Sequence, residues 1–363
     1  LLDAFIDPLL GRLSDRLFAR SPRAVLAYGG AAALLLALGF TLLFFPPVQG
    51  LTTLLVWAGV LLVLTYAAFS AVSVAHQAWG AMWGGNDAQR GRVVAWREGL
   101  GLAGVLVASV APSVWGLQVS TAIFIVALLA GWLAWTQALR PASAPALHAP
   151  QNIWLPFSRP AFRKLLVVFM FNGIASAVPA TLVLFFIQDR LQASGQWPGI
   201  FLGAYFLCAA LSIPLWLAVV RRLGLVRAWG AGMLLAIAVF AFATQLGAGD
   251  LAAFVVICAL SGVALGADLT LPSALLAGII GDAGDRGRHE GAYFGWWNFC
   301  TKLNLALAAG LALPMLGWFG YAPGARDPQA LQALVVAYCV LPCVLKLIAS
   351  GALYALFIKG SKP

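Results

Sequence analysis

Charge is what this sequence is short of. Charged residues make up 9% of the 363 and hydrophobic residues 62%, whereas a soluble globular domain carries roughly a quarter charged residues. No water-soluble fold can hide that surplus of apolar side chains. Cysteine is sparse too, and Cys208, Cys258, Cys300, Cys339 and Cys343 all lie inside apolar runs with no CxxC pattern. Thiols so placed pack as small hydrophobes, so neither a disulfide framework nor a zinc site is implied. Three histidines, His76, His148 and His289, lie far apart with no HxxxH pair, which argues against a membrane-embedded metalloenzyme or any convergent catalytic constellation. No phosphate-binding glycine loop occurs, so ATP-driven pumping is not expected. The period-two alternation of an outer-membrane barrel is missing as well. So is a basic leader with a small-residue cleavage site, and no signal peptide is expected.

What remains is a succession of apolar runs about 20 residues or longer, enough to cross a bilayer as helices. Breaking the chain at its charged and Pro/Gly-rich clusters gives runs at 1–13, 24–45, 51–83, 93–115, 118–139, 163–187, 196–220, 226–246, 251–280, 291–318 and 329–357. The expected fold class is an all-α polytopic membrane protein. Net charge is +10 with a pI near 9.8, and its distribution points to membrane topology and not to nucleic acid. The loops at 12–23, 84–97, 140–164, 221–227, 286–289 and 358–363 hold 18 of the 22 Lys and Arg, while the intervening loops hold only Arg190 and Arg326. The positive-inside rule makes the rich side cytoplasmic. The C-terminus is then expected inside, in a cytoplasmic (inner) membrane, and the first run leads from outside to inside. An even number of crossings with both termini inside needs one more helix upstream, so the expectation is a twelve-helix protein seen without its first helix.

The longest cytoplasmic connection, 140–162, is rich in Pro and Ala and reads as a linker. It divides an N-terminal half, 1–139 (helices 2–6), from a C-terminal half, 163–363 (helices 7–12). A weak echo supports two parallel repeats: Gly11-Arg-Leu-Ser-Asp-Arg16 follows the first run, and Arg221-Arg-Leu-Gly-Leu-Val-Arg227 follows the equivalent run of the second half.

Ionisable residues at bilayer depth are costly unless they face a cavity or a partner, so they are the best pointers to function. Asp3 and Asp7 are spaced i,i+4, which stacks two carboxylates on one helical face. A bound Na⁺, a shared proton or a cationic side chain would relieve their repulsion; pairing with a basic group on another helix, or capping of a helix end, would also account for them. Phe294, Asn298 and Lys302 share one face of the run at 291–318 with Trp297 beside them. There the Lys302 ammonium can meet substrate hydroxyls, balance the acids, or form a purely structural ion pair. Lys346, on the cytoplasmic half of the last run, is expected to snorkel to the headgroups. His76, Gln77 and Asn172 can bind a polyol or glue helices together, and Asp268 is a weaker cavity candidate. Tyr293, Trp296, Trp297 and Trp79 can stack on sugar rings, although core or interfacial packing is the commoner role of such side chains. Mixed-charge clusters at Asp15 and Arg16, at Arg97 and Glu98, and at Asp282, Asp285, Arg288 and Glu290 suit a cytoplasmic gate, or merely solvated topology signals.

Three stretches carry a resemblance: Leu2-Asp-Ala-Phe-Ile-Asp-Pro-Leu-Leu-Gly-Arg-Leu-Ser-Asp-Arg16; Arg90 to Gly104 with Arg97-Glu98; and Gly281-Asp-Ala-Gly-Asp-Arg-Gly-Arg-His-Glu-Gly-Ala-Tyr-Phe-Gly-Trp-Trp-Asn-Phe-Cys-Thr-Lys302. In order and spacing the chain resembles the glycoside-pentoside-hexuronide:cation symporters, the melibiose permease family within the major facilitator superfamily. The resemblance implies two six-helix halves that alternate access to a sugar and a cation bound midway. By motif, it implies that Asp3 and Asp7 are the paired acids of helix two, Arg97 the arginine of helix five, and Lys302 the lysine of helix eleven near the cation. The chain departs from the pattern at Val72, where the family has a cation-holding acid, and at Ala68, where it has a tyrosine. Fewer oxygens are then left for Na⁺, which favours H⁺.

The expected function is cation-coupled symport (H⁺ or Na⁺) of a sugar, glycoside or similar small polar solute by a monomer in the bilayer, with no cofactor beyond the co-transported ion. The alternatives are transport of a lipid-like or amphipathic solute, or a non-transporting sensor on the same scaffold.

Overall fold

A computed structural model describes residues 4–141 and 152–359. Among them there is no strand, and eight helices are long and apolar enough to cross a membrane. In chain order the helices are α1 (Asp7–Arg20), α2 (Pro22–Phe44), α3 (Leu51–Met82), α4 (Asp87–Gln137), α5 (Leu155–Ser158), α6 (Pro160–Phe185), α7 (Trp197–Ala243), α8 (Leu251–Asp282), α9 (Glu290–Trp318), α10 (Pro328–Val335) and α11 (Leu341–Leu353). Single π-turns extend α6 and α11 and join α10 to α11.

Local chemistry sets several boundaries. Ser21 is extended, ends α1 and starts α2, its hydroxyl accepting from the Ala24 amide at 3.1 Å with Pro22 next in line. Asp327 caps α10 in the same way, accepting from the Ala330 amide at 2.8 Å ahead of Pro328. Such caps satisfy amides that the first turn leaves without a helical acceptor. Two long elements each carry a pair of the apolar runs. α4 is broken at Gly116 (φ 80°, ψ 170°) and α7 at Gly224 (φ 78°, ψ 169°), a backbone region essentially restricted to glycine. These breaks fall where the sequence places the turn between 93–115 and 118–139 and the basic loop at 221–227.

The chain forms two compact units. The first contains Leu1–Gly84, Val107–Arg159 and Ala277–Cys300; the second contains Gly85–Leu106, Pro160–Leu276 and Thr301–Pro363. In the first, α2 and α3 pack closely on each other and on α1, and glycines admit large rings. Trp135 presses on Gly29, and Trp132 covers Gly30 and donates to the Leu26 carbonyl at 3.2 Å. Trp79 and Trp83 both donate to the Leu139 carbonyl, at 3.0 and 2.9 Å. In the second, the core runs through Leu182, Phe186, Phe201, Phe254 and Tyr338, while Ala95 and Leu102 of α4 pack with Ala209 and Ile213 of α7.

Candidate transport site

Asp7 opens α1 and is fully buried. Burial follows from main-chain contact between α1 and the first turns of α9. A Cβ at Gly11 would run into the Gly291 carbonyl, one at Gly291 into the Gly11 carbonyl, and one at Gly295 would sit 2.6 Å from the Asp7 carbonyl oxygen. Small residues at a helix crossing allow such close backbone approach. Asp3, the other acid of the expected pair, lies outside the described residues, as does His148. On α9, Trp297 is buried and Asn298 half-buried in the first unit; Lys302, half-buried, belongs to the second.

Eight residues further along α1, Asp15 is buried and accepts from the Gly291 amide at 2.6 Å through Oδ1 and from the Ala292 amide at 2.9 Å through Oδ2. It caps a neighbouring helix across a sequence separation of 276 residues. Burial pushes its carboxyl well above the usual carboxylate range, outweighing the two amides that pull it down. Glu290 is also buried, with Oε1 accepting from the Gly287 amide at 2.7 Å. Asp285 anchors a second cluster. Arg159 reaches it with Nε at 3.0 Å and Nη2 at 2.7 Å, and the Tyr293 hydroxyl donates to Oδ2 at 2.6 Å. The neighbouring His289 is held below the ordinary histidine range by burial. Arg16, Asp282 and Arg288 of the expected gate are exposed, and Arg97 forks onto Glu98 Oε1 at 2.9 and 2.7 Å.

The proposed sugar-stacking rings are tied to the protein at their polar ends. Trp79 donates to Leu139, Tyr293 to Asp285, and Trp296 to the Ile153 carbonyl at 2.7 Å. His76 is exposed on α3 and meets Trp135 edge-on at 5.3 Å, while Gln77 has a buried Oε1 with no hydrogen-bond partner among the described residues.

One expectation is corrected. Lys346 does not snorkel: it is 6% exposed, and its ammonium donates to Asp268 Oδ2 at 2.7 Å and to Asn172 Oδ1 at 2.8 Å. Asp268 and Asn172 supply a buried anion and a carbonyl oxygen that headgroups would otherwise offer, so the lysine has no reason to leave the core. Asn172 thus uses both ends of its amide between helices, its Nδ2 donating to Asp268 Oδ1 at 3.1 Å.

Two residues escaped the sequence reading. Arg159 looked like a topology charge because its partner lies 126 positions away. Asn304, on α9 just past Lys302, is buried against Gly173, and neither of its amide atoms has a hydrogen bond among the described residues. A polar side chain two residues beyond Lys302 in an apolar run was the available signal.

Comparison with known proteins agrees with this architecture. No curated protein matches the chain. Among solved structures, it is similar to the E. coli fucose:proton symporter (TM-score 0.68, 14% identity, 95% of this chain and 87% of that one). It is also similar to a bacterial homologue of the iron transporter ferroportin in an outward-facing state (0.69, 16%, 97% and 87%). A third similar structure is the human organic anion transporter (0.69, 16%, 97% and 81%). At such identities the likeness concerns the fold alone. The family described as MFS/sugar transport protein matches residues 1–359, and the chain belongs to it.

Proposed function

We propose that the protein is a secondary transporter of the cytoplasmic membrane that couples uptake of a sugar or glycoside to a cation by alternating access. The observation that carries this reading is the Asp7 carboxyl, fully buried at the start of α1 in a sugar-transport family member. A buried acid at that depth is retained at a cost unless charge moves through it. The fucose:proton symporter of the same fold lends support for proton coupling. Asp3, Asp7 and Lys302 serve the coupling ion. Gln77, Trp297 and Asn298 contact solute, and in the second unit the unsatisfied Asn304 amide is open to a polar partner. His76, Arg97 and Asn172 are engaged elsewhere in the protein and take lesser parts. Filling the Asp7 site with a cation or proton neutralises it and lets the loaded halves rock, so the ion changes the balance between states only through its unequal affinity for them. Asp15, Glu290, Asp285 and Glu98 with Arg97 hold the cytoplasmic contacts that must break.

The test is accumulation of a panel of radiolabelled mono- and disaccharides by energised vesicles. At least one is expected to accumulate uphill, to equilibrate when the gradient is collapsed, and to lose about tenfold or more of its accumulation in Asp7→Asn. Undiminished uphill accumulation by that variant overturns the role given to Asp7; accumulation of none of the sugars overturns the substrate class.

A further inference from the structure

The second unit holds a cavity of about 340 Å³ that the transport reading does not use. It lies within the C-terminal half, between α6, α7, α8 and the α10–α11 segment. Its walls are apolar, with Val183, Phe201, Phe206, Phe240, Ile257 and Leu265 among them. Its size falls at the lower end of the range of about 300–1,000 Å³ found for small-molecule sites.

One end is polar. Asp268 lines it and is surrounded by donors: Oδ1 accepts from Asn172 Nδ2 at 3.1 Å and Trp229 Nε1 at 3.0 Å, and Oδ2 from Lys346 Nζ at 2.7 Å and Ser176 Oγ at 3.4 Å. A carboxylate offers about four lone-pair positions, so Asp268 has none to spare for a ligand. Lys346 differs. An ammonium has three N–H groups, and the bonds to Asp268 and Asn172 use two. Ser261 also lines the cavity, is 8% exposed, and its hydroxyl oxygen has no hydrogen-bond partner among the described residues. A buried hydroxyl left in this condition is costly, and here it marks the place where a polar atom of a ligand belongs.

We propose that this cavity is a binding site for a small neutral amphiphile: an aromatic or alkyl body in the apolar chamber, and a hydroxyl that accepts from Lys346 and bonds to Ser261. The head is neutral because Asp268 already balances the Lys346 charge. An added anion or cation would bring net charge into apolar walls at a desolvation cost that a neutral head avoids. The site is lined by residues of the second unit alone and is proposed independently of the coupling mechanism.

The experiment measures saturable binding of radiolabelled 2-(2-naphthyl)ethanol to the full chain in lipid nanodiscs, corrected by empty discs. Expected are one site per chain, a preference of at least about tenfold over the matching carboxylate and ammonium compounds, and loss of binding in Ala264→Phe, which fills the chamber. Ser261→Ala, which keeps the shape, is expected to weaken binding about fivefold, the value of one hydrogen bond. Absence of saturable binding, equal affinity in Ser261→Ala, or tighter binding of either charged compound overturns the proposal. If Ala264→Phe does not fold, Ser261→Ala and the comparison of head groups decide it. Asp7→Asn is expected to bind the alcohol normally, which separates this site from the transport reading.

Discussion

Asp15 ties distant parts of the first unit together by hydrogen bonds, and its two amide bonds make it measurable. Hydrogen exchange at Gly291 and Ala292 reports directly on whether the carboxylate is in place. Replacing Asp15 by Ala removes a buried, charge-assisted acceptor, a loss of about 1.5–3 kcal/mol, so protection at both amides is expected to fall about 10- to 100-fold. The pH dependence has a definite sign. Inside the contact the carboxyl titrates above its ordinary range because of burial, with Glu290 adding to the effect; released into water it returns to that range. The closed contact therefore binds more protons than the open one. It is strongest at and below the ordinary carboxylate range, weakens as pH rises from there through the raised value, and levels off above it. Protection of the two amides, corrected for intrinsic exchange, is expected to follow that course in the wild type and to lose it in Asp15→Ala.

At the scale of elements, α4 and α7 are each broken at one glycine. Gly116 and Gly224 share nearly identical angles in a region that an L-residue enters only with strain. Gly116→Ala and Gly224→Ala are each expected to lower stability by about 1–3 kcal/mol, read as a drop in melting temperature. Gly104, helical and with open space around its Cα, provides the contrast: alanine there is expected to be neutral or to stabilise by about 0.5–1 kcal/mol. The positions of these helices were legible from hydropathy and loop charge, because a bilayer leaves the backbone few options. What the helices do with their polar residues was less so. Lys346 looked like a headgroup lysine because nothing local shows that Asp268 and Asn172 converge on it from 78 and 174 residues away. Asp15 and Arg159 were noticed as charges, but their partners, two main-chain amides and a distant acid, have no signature in a linear pattern. The two glycine breaks were read only as short loops.

For the molecule as a whole, the asymmetry of Lys and Arg among the loops predicts an orientation that can be tested. A reporter active only in the cytoplasm, fused after Pro363 or inserted in the loop at 221–227, is expected to be active. The same reporter at Arg190 or Arg326 is expected to be silent. Equal activity at all four positions would remove the orientation proposed here. The grouping into units adds something the linear halves do not express. The first turns of α9 belong with α1, and the first turns of α4 with α7, so each unit draws on both sides of the 140–162 linker.

The meeting of α1 and α9 through Gly11, Gly291 and Gly295 has a mechanical corollary. Where helices interlock by side chains, turning one against the other means lifting every knob from its hole. Bare backbone on bare backbone has no teeth. Glycine on both faces leaves few rotamers to rearrange at those positions if α1 turns against α9, and the bonds from Asp15 to the head of α9 would have to yield first.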